Sequence, residues 1–177
     1  MGTHNLLLRL GPTMFLEVIA INPAAPRPAR PRWFALDELP EDAQPRLACW
    51  VARTDDIAAS VAAASETLGA IEPMSRGALD WLISIPDDGG LPLGGVAPAL
   101  IQWHASAHPA ASMEDRGCTL AALELRHPEP QRVSALLASL GLDEPGVALS
   151  VAQGAERALA AHIRTPRGLR TIGSRPA

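Results

Sequence analysis

Two stretches of this chain carry the same order of elements, and that repetition limits the folds open to it. Arg46 to Arg53 (RLACWVAR) reads as a strand. Asp55-Asp56 then caps a helix whose apolar face is Ile57, Val61, Ala64 and Leu68, and Gly69 ends it. Thr119 to Arg126 (TLAALELR) reads as a strand again. His127-Pro128-Glu129-Pro130 opens a second helix with proline in its first turn; Val133, Leu136, Leu137 and Leu140 form its apolar face, and Gly141 stops it. Three strands are expected after each helix. The first set is a short one at Met74–Ala78, a stronger one at Leu79–Pro86 and one at Pro98–His104. The second set is Val147–Ala152, Leu159–Thr165 and Leu169–Ile172, the last two joined across Pro166-Arg167-Gly168. Leu68-Gly69 and Leu140-Gly141 thus mark the same point in two copies of a βαβββ unit, with Ala105–Gly117 as the polar connector between them.

The chain opens with the last two strands of such a unit and no more. Thr3–Leu10 and Met14–Pro23 are apolar runs of strand length around a Gly11-Pro12 break, which reads as a β-hairpin. With Leu10–Thr13 as the loop, Arg9 faces Met14, Leu8 faces Phe15, Leu6 faces Glu17 and His4 faces Ile19. Side chains alternate with period 2, so His4, Leu6, Phe15 and Glu17 share a face, with imidazole and carboxylate as diagonal neighbours. A lone carboxylate on an apolar face is costly unless it is paired or ligated. Glu17 therefore reads either as a ligand or acid–base group, or as the partner of an arginine or of solvent. Half a module also leaves an unpaired sheet edge, for upstream residues or another chain to fill.

After the hairpin, Pro23–Arg32 holds four prolines and three arginines. It reads as an extended connector that Trp33-Phe34-Ala35-Leu36 docks onto the core, ahead of a polar loop or short helical turn at Asp37–Pro45. The expected organisation is a partial module at 1–46, a βαβββ module at 47–117 and another at 118–177, together forming one domain.

Composition excludes several chemistries. All 15 basic residues are arginine, so neither a Schiff base nor a lysine-bearing phosphate loop is available, and tyrosine is absent. A net charge of −4 gives no electrostatic basis for a nucleic-acid partner. Cys49 and Cys118 lack the spacing of a disulfide framework or a structural zinc site. No apolar run approaches membrane-spanning length and the start lacks the pattern of a secretory signal, so no membrane partner is expected and the cytoplasm is the default location. No Gly-x-Ser-x-Gly elbow occurs, and Gly89-Gly90 and Gly94-Gly95 fall between strands.

Among the other candidates, Glu124 interrupts an apolar strand as Glu17 does. It reads as a cavity carboxylate or as the partner of Arg126 on the same face. Gln102 and His104 share a strand face. His108, in a loop before Pro109, is expected to be exposed, His127 structural at its helix start, and His162 carries little signal on an expected edge strand. Trp50, Trp81 and Trp103 fall one per strand, which suits either a ligand cavity or plain core.

Gly2-Thr3-His4-Asn5-Leu6-Leu7, Phe15-Leu16-Glu17, the proline-rich stretch, Ile101-Gln102-Trp103-His104 and His127-Pro128 together resemble the glyoxalase-like domain of the vicinal oxygen chelate superfamily. The likeness runs from Gly2 to about Ile172. It implies an α+β fold of repeated βαβββ modules, their curled mixed sheets surrounding a cavity, with the first module incomplete here. In metal-dependent members, inward His and Glu hold a divalent metal that chelates two neighbouring substrate oxygens; glyoxalases, extradiol dioxygenases, epimerases and antibiotic-resistance proteins share that arrangement. Glu17 sits where the superfamily often places a metal-binding Glu. His4 and His104 would complete a set suited to zinc, manganese or iron, and Glu124 would move the proton. The implied function is metal-dependent lyase, isomerase or dioxygenase-type chemistry on a small oxygenated metabolite. The alternative is metal-free binding of a small molecule for sequestration or sensing. A homodimer is the expected partner arrangement.

Overall fold

A computed structural model describes residues 1–105, 107–142 and 148–174, and these form an α+β fold. Val147, expected at the start of a strand, and Ser106, in the connector, lie outside the described residues. The opening hairpin, β1 (Thr3–Gly11) and β2 (Met14–Ile21), is a two-stranded sheet of its own. The first full module contributes β3 (Val51–Arg53), α1 (Ile57–Ala63), β4 (Ala70–Arg76), β5 (Leu79–Ile85) and β6 (Ala99–Trp103). The second contributes β7 (Thr119–His127), α2 (Pro130–Ser139), β8 (Ala148–Gln153), β9 (Ala158–Thr165) and β10 (Gly168–Gly173).

Both modules have the βαβββ order and a mixed four-stranded sheet, but they wire it differently. In the first sheet the order is β3-β6-β5-β4, so the crossover through α1 carries the chain to the far edge. In the second it is β10-β9-β7-β8, and α2 connects strands that lie side by side in parallel.

Local chemistry explains the helix boundaries. Asp56 caps α1, its Oδ1 accepting from the Ala59 N–H at 2.9 Å. The helix stops at Ala63, before the expected Gly69. The Ser65 N–H donates to Ser139 Oγ at 3.1 Å, and Glu66 takes two bonds of 2.8 Å from Arg132, so residues 65 and 66 are drawn onto α2. Leu68 is still buried in the core with Ile57 and Leu136. Pro130 opens α2 and Gly141, at φ +61°, closes it; its N–H donates to the Ala138 carbonyl. The buried His127 prepares that helix start, its Nδ1 accepting from the Glu129 N–H at 3.0 Å.

The two sheets are covered unequally. One face of the first packs against α1; the other carries Trp81, Ile83, Ile85 and Ala99 and is covered by Trp33 and Leu36, with Ile19 of the hairpin and Met1 beside them. The expected docking of the connector is therefore observed. In the second sheet Leu123, Leu125, Leu159 and Ala161 pack with Val133 of α2. Its opposite face, the side of Glu124, Ser150, Ala152 and Arg164, has no helix over it among the described residues.

Two backbone features bear on stability. Phe34 (φ +59°) and Ala35 (φ +54°) are successive left-handed residues, held by the Ala35 N–H donating to the Gly89 carbonyl at 2.8 Å. Left-handed backbone costs a non-glycine residue about 1–2 kcal/mol, so Ala35→Gly is expected to raise stability by about 1 kcal/mol, read from the urea midpoint. The second is the Glu66–Arg132 pair between modules. Donation from Arg132 holds the Glu66 carboxyl below its ordinary value of 4.5. Its contribution is complete above that pH and is lost as pH falls through the lowered value. The stability gap between wild type and Arg132→Ala should accordingly be largest near neutrality and close under acid, as measured by urea denaturation at a series of pH values.

Candidate functional site

The hairpin register differs from the sequence expectation by one residue, and the difference decides the fate of the proposed ligands. Gly11 pairs with Met14, but Arg9 pairs with Phe15, so Leu10 is a bulged residue that turns into the core, where it is buried. Glu17 consequently opposes Leu7, and His4 opposes Ala20. Odd-numbered Thr3, Asn5, Phe15, Glu17 and Ile19 face the first sheet. His4 lies on the other side with Leu6 and Val18, which are 75% and 56% exposed. Imidazole and carboxylate thus stand on opposite faces of one hairpin and cannot grip a common metal ion.

Glu17 meets side chains of the hairpin and of β4. It accepts a short hydrogen bond from Asn5 Nδ2, and Arg76 Nη1 lies at 4.0 Å. Arg76 also donates to Thr3 Oγ1 at 3.0 Å, tying the hairpin to β4. His104 is exposed just past β6, its N–H bonded to the Asp80 carbonyl. Among the described residues no three His, Cys, Asp or Glu side chains converge as metal ligands. The residues named from sequence therefore do not fit a divalent metal as a set, and no chemistry is routed through one.

The tryptophans are core. Trp81 is buried and packs on Trp103 with ring centroids 5.3 Å apart, while His108 stands edge-on to Trp103 at 6.1 Å and lies 5.8 Å from Phe15. This aromatic stack fills the space between hairpin and first sheet. His108, expected to be exposed, is half-buried there with its Nδ1 accepting from the Ala110 N–H. A small recess beside Trp33, Cys49, Ser84 and Ala99 measures about 10 Å³, enough for about one water molecule. Its walls desolvate the Cys49 thiol, and with the nearby Glu17 charge they push it up to about 12. Neither space accommodates a metabolite.

The open face of the second sheet is different. β7 carries a bulge between Leu120 and Ala122, after which Ala122 pairs with His162 and Glu124 with Ala160. Glu124 and His162 are therefore diagonal neighbours on one face, and Thr171 on β10 lies directly opposite His162. The side chains meet in a row across three strands. His162 Nε2 is 3.0 Å from Glu124 Oε1, and His162 Nδ1 is 3.0 Å from Thr171 Oγ1. Ala122, Ala152, Ala158 and Ala160 surround the row with short side chains, while Arg126, 3.5 Å from Glu124, and Arg164 flank it with positive charge.

Sequence reasoning singled out Glu124 and passed over its two partners. The signal for His162 was that Glu124 and His162 both interrupt apolar strands at positions that alternate with buried residues. What hid it was the pairing of β7 with β9, strands separated by α2 and β8.

A chain built from βαβββ modules, with curled mixed sheets and one face left for polar groups, is of glyoxalase-like architecture. The family model described as "Glyoxalase-like domain" matches residues 1–141, and the chain belongs to that family, within the vicinal oxygen chelate superfamily. The match takes in the hairpin, the first module, β7 and α2, including Glu124; His162 and Thr171 lie beyond it. Among curated proteins and among solved structures no match to the chain is found.

The packing of His108 has a titration consequence. Burial, then the charge of Arg53, holds its imidazole below the ordinary 6.5. Its contribution to stability is complete above pH 6.5 and lost as pH falls through the lowered value. NMR of the ring resonances should give His108 a titration midpoint below 6.5; a midpoint at or above it would mean the ring is not packed against Phe15 and Trp103.

Proposed function

We propose that this glyoxalase-like protein binds a small oxygenated metabolite on the open face of its second sheet, with His162 and Glu124 as the groups that hold or move a proton. The observation that carries this reading is the 3.0 Å contact between the two side chains on a sheet face over which no helix lies among the described residues. Imidazole is suited to proton exchange near neutral pH, and a carboxylate bonded to one ring nitrogen fixes its orientation. Ala122 and Ala160 beside the pair add no bulk to shield the imidazole, whose side chain is 24% exposed. Arg126 and Arg164 favour a ligand carrying negative charge, such as an oxo acid or hydroxy acid.

Metal-free binding is preferred to chemistry at a metal held by His4, Glu17 and His104 because those three side chains diverge. In this reading Glu17 is a structural group that joins the hairpin to β4 through Asn5 and Arg76.

The test is an NMR titration of the histidine ring signals with a panel of small oxo acids, hydroxy acids and catechols, with and without chelator. His162 should shift on binding in either condition, and His162→Ala and Glu124→Gln should weaken the affinity by about tenfold or more, as expected for loss of a charge-assisted hydrogen bond. Binding that requires added zinc, manganese or iron and is lost in Glu17→Ala would overturn it in favour of the metal reading.

A further inference from the structure

We propose that Thr171 is a nucleophile, activated by His162 and Glu124 for acyl transfer from an ester of a small carboxylic acid. This rests on the reading of the same face as the ligand site and adds a covalent step to it. The proton positions follow from the partners. The Glu124 carboxylate can only accept, so the nitrogen it meets, Nε2, carries the ring hydrogen. The Nδ1 lone pair is then directed at Thr171 Oγ1, which donates to it across 3.0 Å. Hydroxyl, imidazole and carboxylate stand in the order that activates a hydroxyl nucleophile, and such constellations are defined by geometry and role, not by fold.

Two further observations support the assignment. Thr171 is exposed and sits on β10, the outermost strand of its sheet among the described residues, with the Leu47 backbone bonded only at Gly173, so a carbonyl carbon can approach Oγ1 from solvent. Arg164, two residues past His162 on the same face of β9, pairs in register with Leu169 and is thereby diagonal to Thr171. It forms no ion pair among the described residues, which leaves its guanidinium to face a developing oxyanion.

The step balances without a redox partner. Thr171 Oγ1 forms a bond to the carbonyl carbon as its proton passes to His162 Nδ1, and the carbonyl electron pair moves onto the oxygen near Arg164. Collapse breaks the bond to the alcohol oxygen, which takes the proton back from Nδ1. Water then cleaves the acyl-threonine by the same sequence and restores the hydroxyl.

The experiment uses 4-nitrophenyl acetate on the full chain, with nitrophenolate release followed by absorbance and the modified residue located by peptide mass spectrometry. The chain has no lysine and no tyrosine, so competing acetylation is limited to few groups. Wild type should give a burst of nitrophenolate and one acetyl group on Thr171. Thr171→Ser should retain the adduct and Thr171→Ala should lose it. Glu124→Gln should slow acylation by about 10²-fold, as loss of general-base orientation does. Circular dichroism of each variant verifies folding. Folded wild type that forms no acetyl-Thr171, or Thr171→Ala that releases nitrophenolate at the wild-type rate, overturns the nucleophile. If His162 ring signals still shift with unreactive acids, ligand binding at this face stands without it; if they do not, both readings fall.

Discussion

A sheet has two faces, and each must either be buried against apolar groups or carry side chains that water can solvate. That constraint orders this protein. The first sheet meets it by covering both faces: α1 lies on one, and Trp33, Leu36 and the hairpin lie on the other. The second buries one face under α2, and among the described residues no helix lies over the other. Two modules of one element order thus arrive at opposite uses of the face away from the helix. In one it is core; in the other it carries an imidazole, a carboxylate and a hydroxyl in contact.

Sequence chemistry reached the elements well because local rules govern them. Asp56, Pro130 and Gly141 act at the helix ends where their side chains or backbones predict. The α+β class and the βαβββ order follow from periodicity and punctuation in the same way. The register of the hairpin was not local. Whether Leu10 lies in the loop or bulges inward depends on whether the core has room for it, and burying one leucine is worth about 1.5–3 kcal/mol. That gain competes with regular pairing and reverses the face on which His4 lies relative to Glu17. The early end of α1 has a similar origin, since residues 65 and 66 find partners on a helix far along the chain.

The site was half legible. Glu124 stood out as a charge in an apolar strand, a local anomaly. His162 and Thr171 gain meaning only through strand neighbours, and the order β10-β9-β7-β8 could not be read from a module whose sibling is ordered β3-β6-β5-β4. Family membership sharpens the point: the matched region ends with α2, so it reaches the carboxylate and stops short of the groups that the carboxylate meets. Family membership speaks to the fold, and the proposed chemistry has to be argued from the side chains themselves.

The row of side chains crosses onto β10, which stands at the end of its sheet order, so the row depends on the pairing of β9 with β10. Among the described residues β10 pairs with β9 as its one strand neighbour; at its far end the Leu47 N–H donates to the Gly173 carbonyl at 3.2 Å, and Ser174 bonds Leu159 at 2.7 and 2.8 Å. Outer strands open locally at lower free energy than an inner strand such as β7. Each such opening withdraws Thr171 while Glu124 and His162, on inner strands, stay in register. Keeping the row assembled therefore depends on the pairing of β9 with β10 as well as on the core.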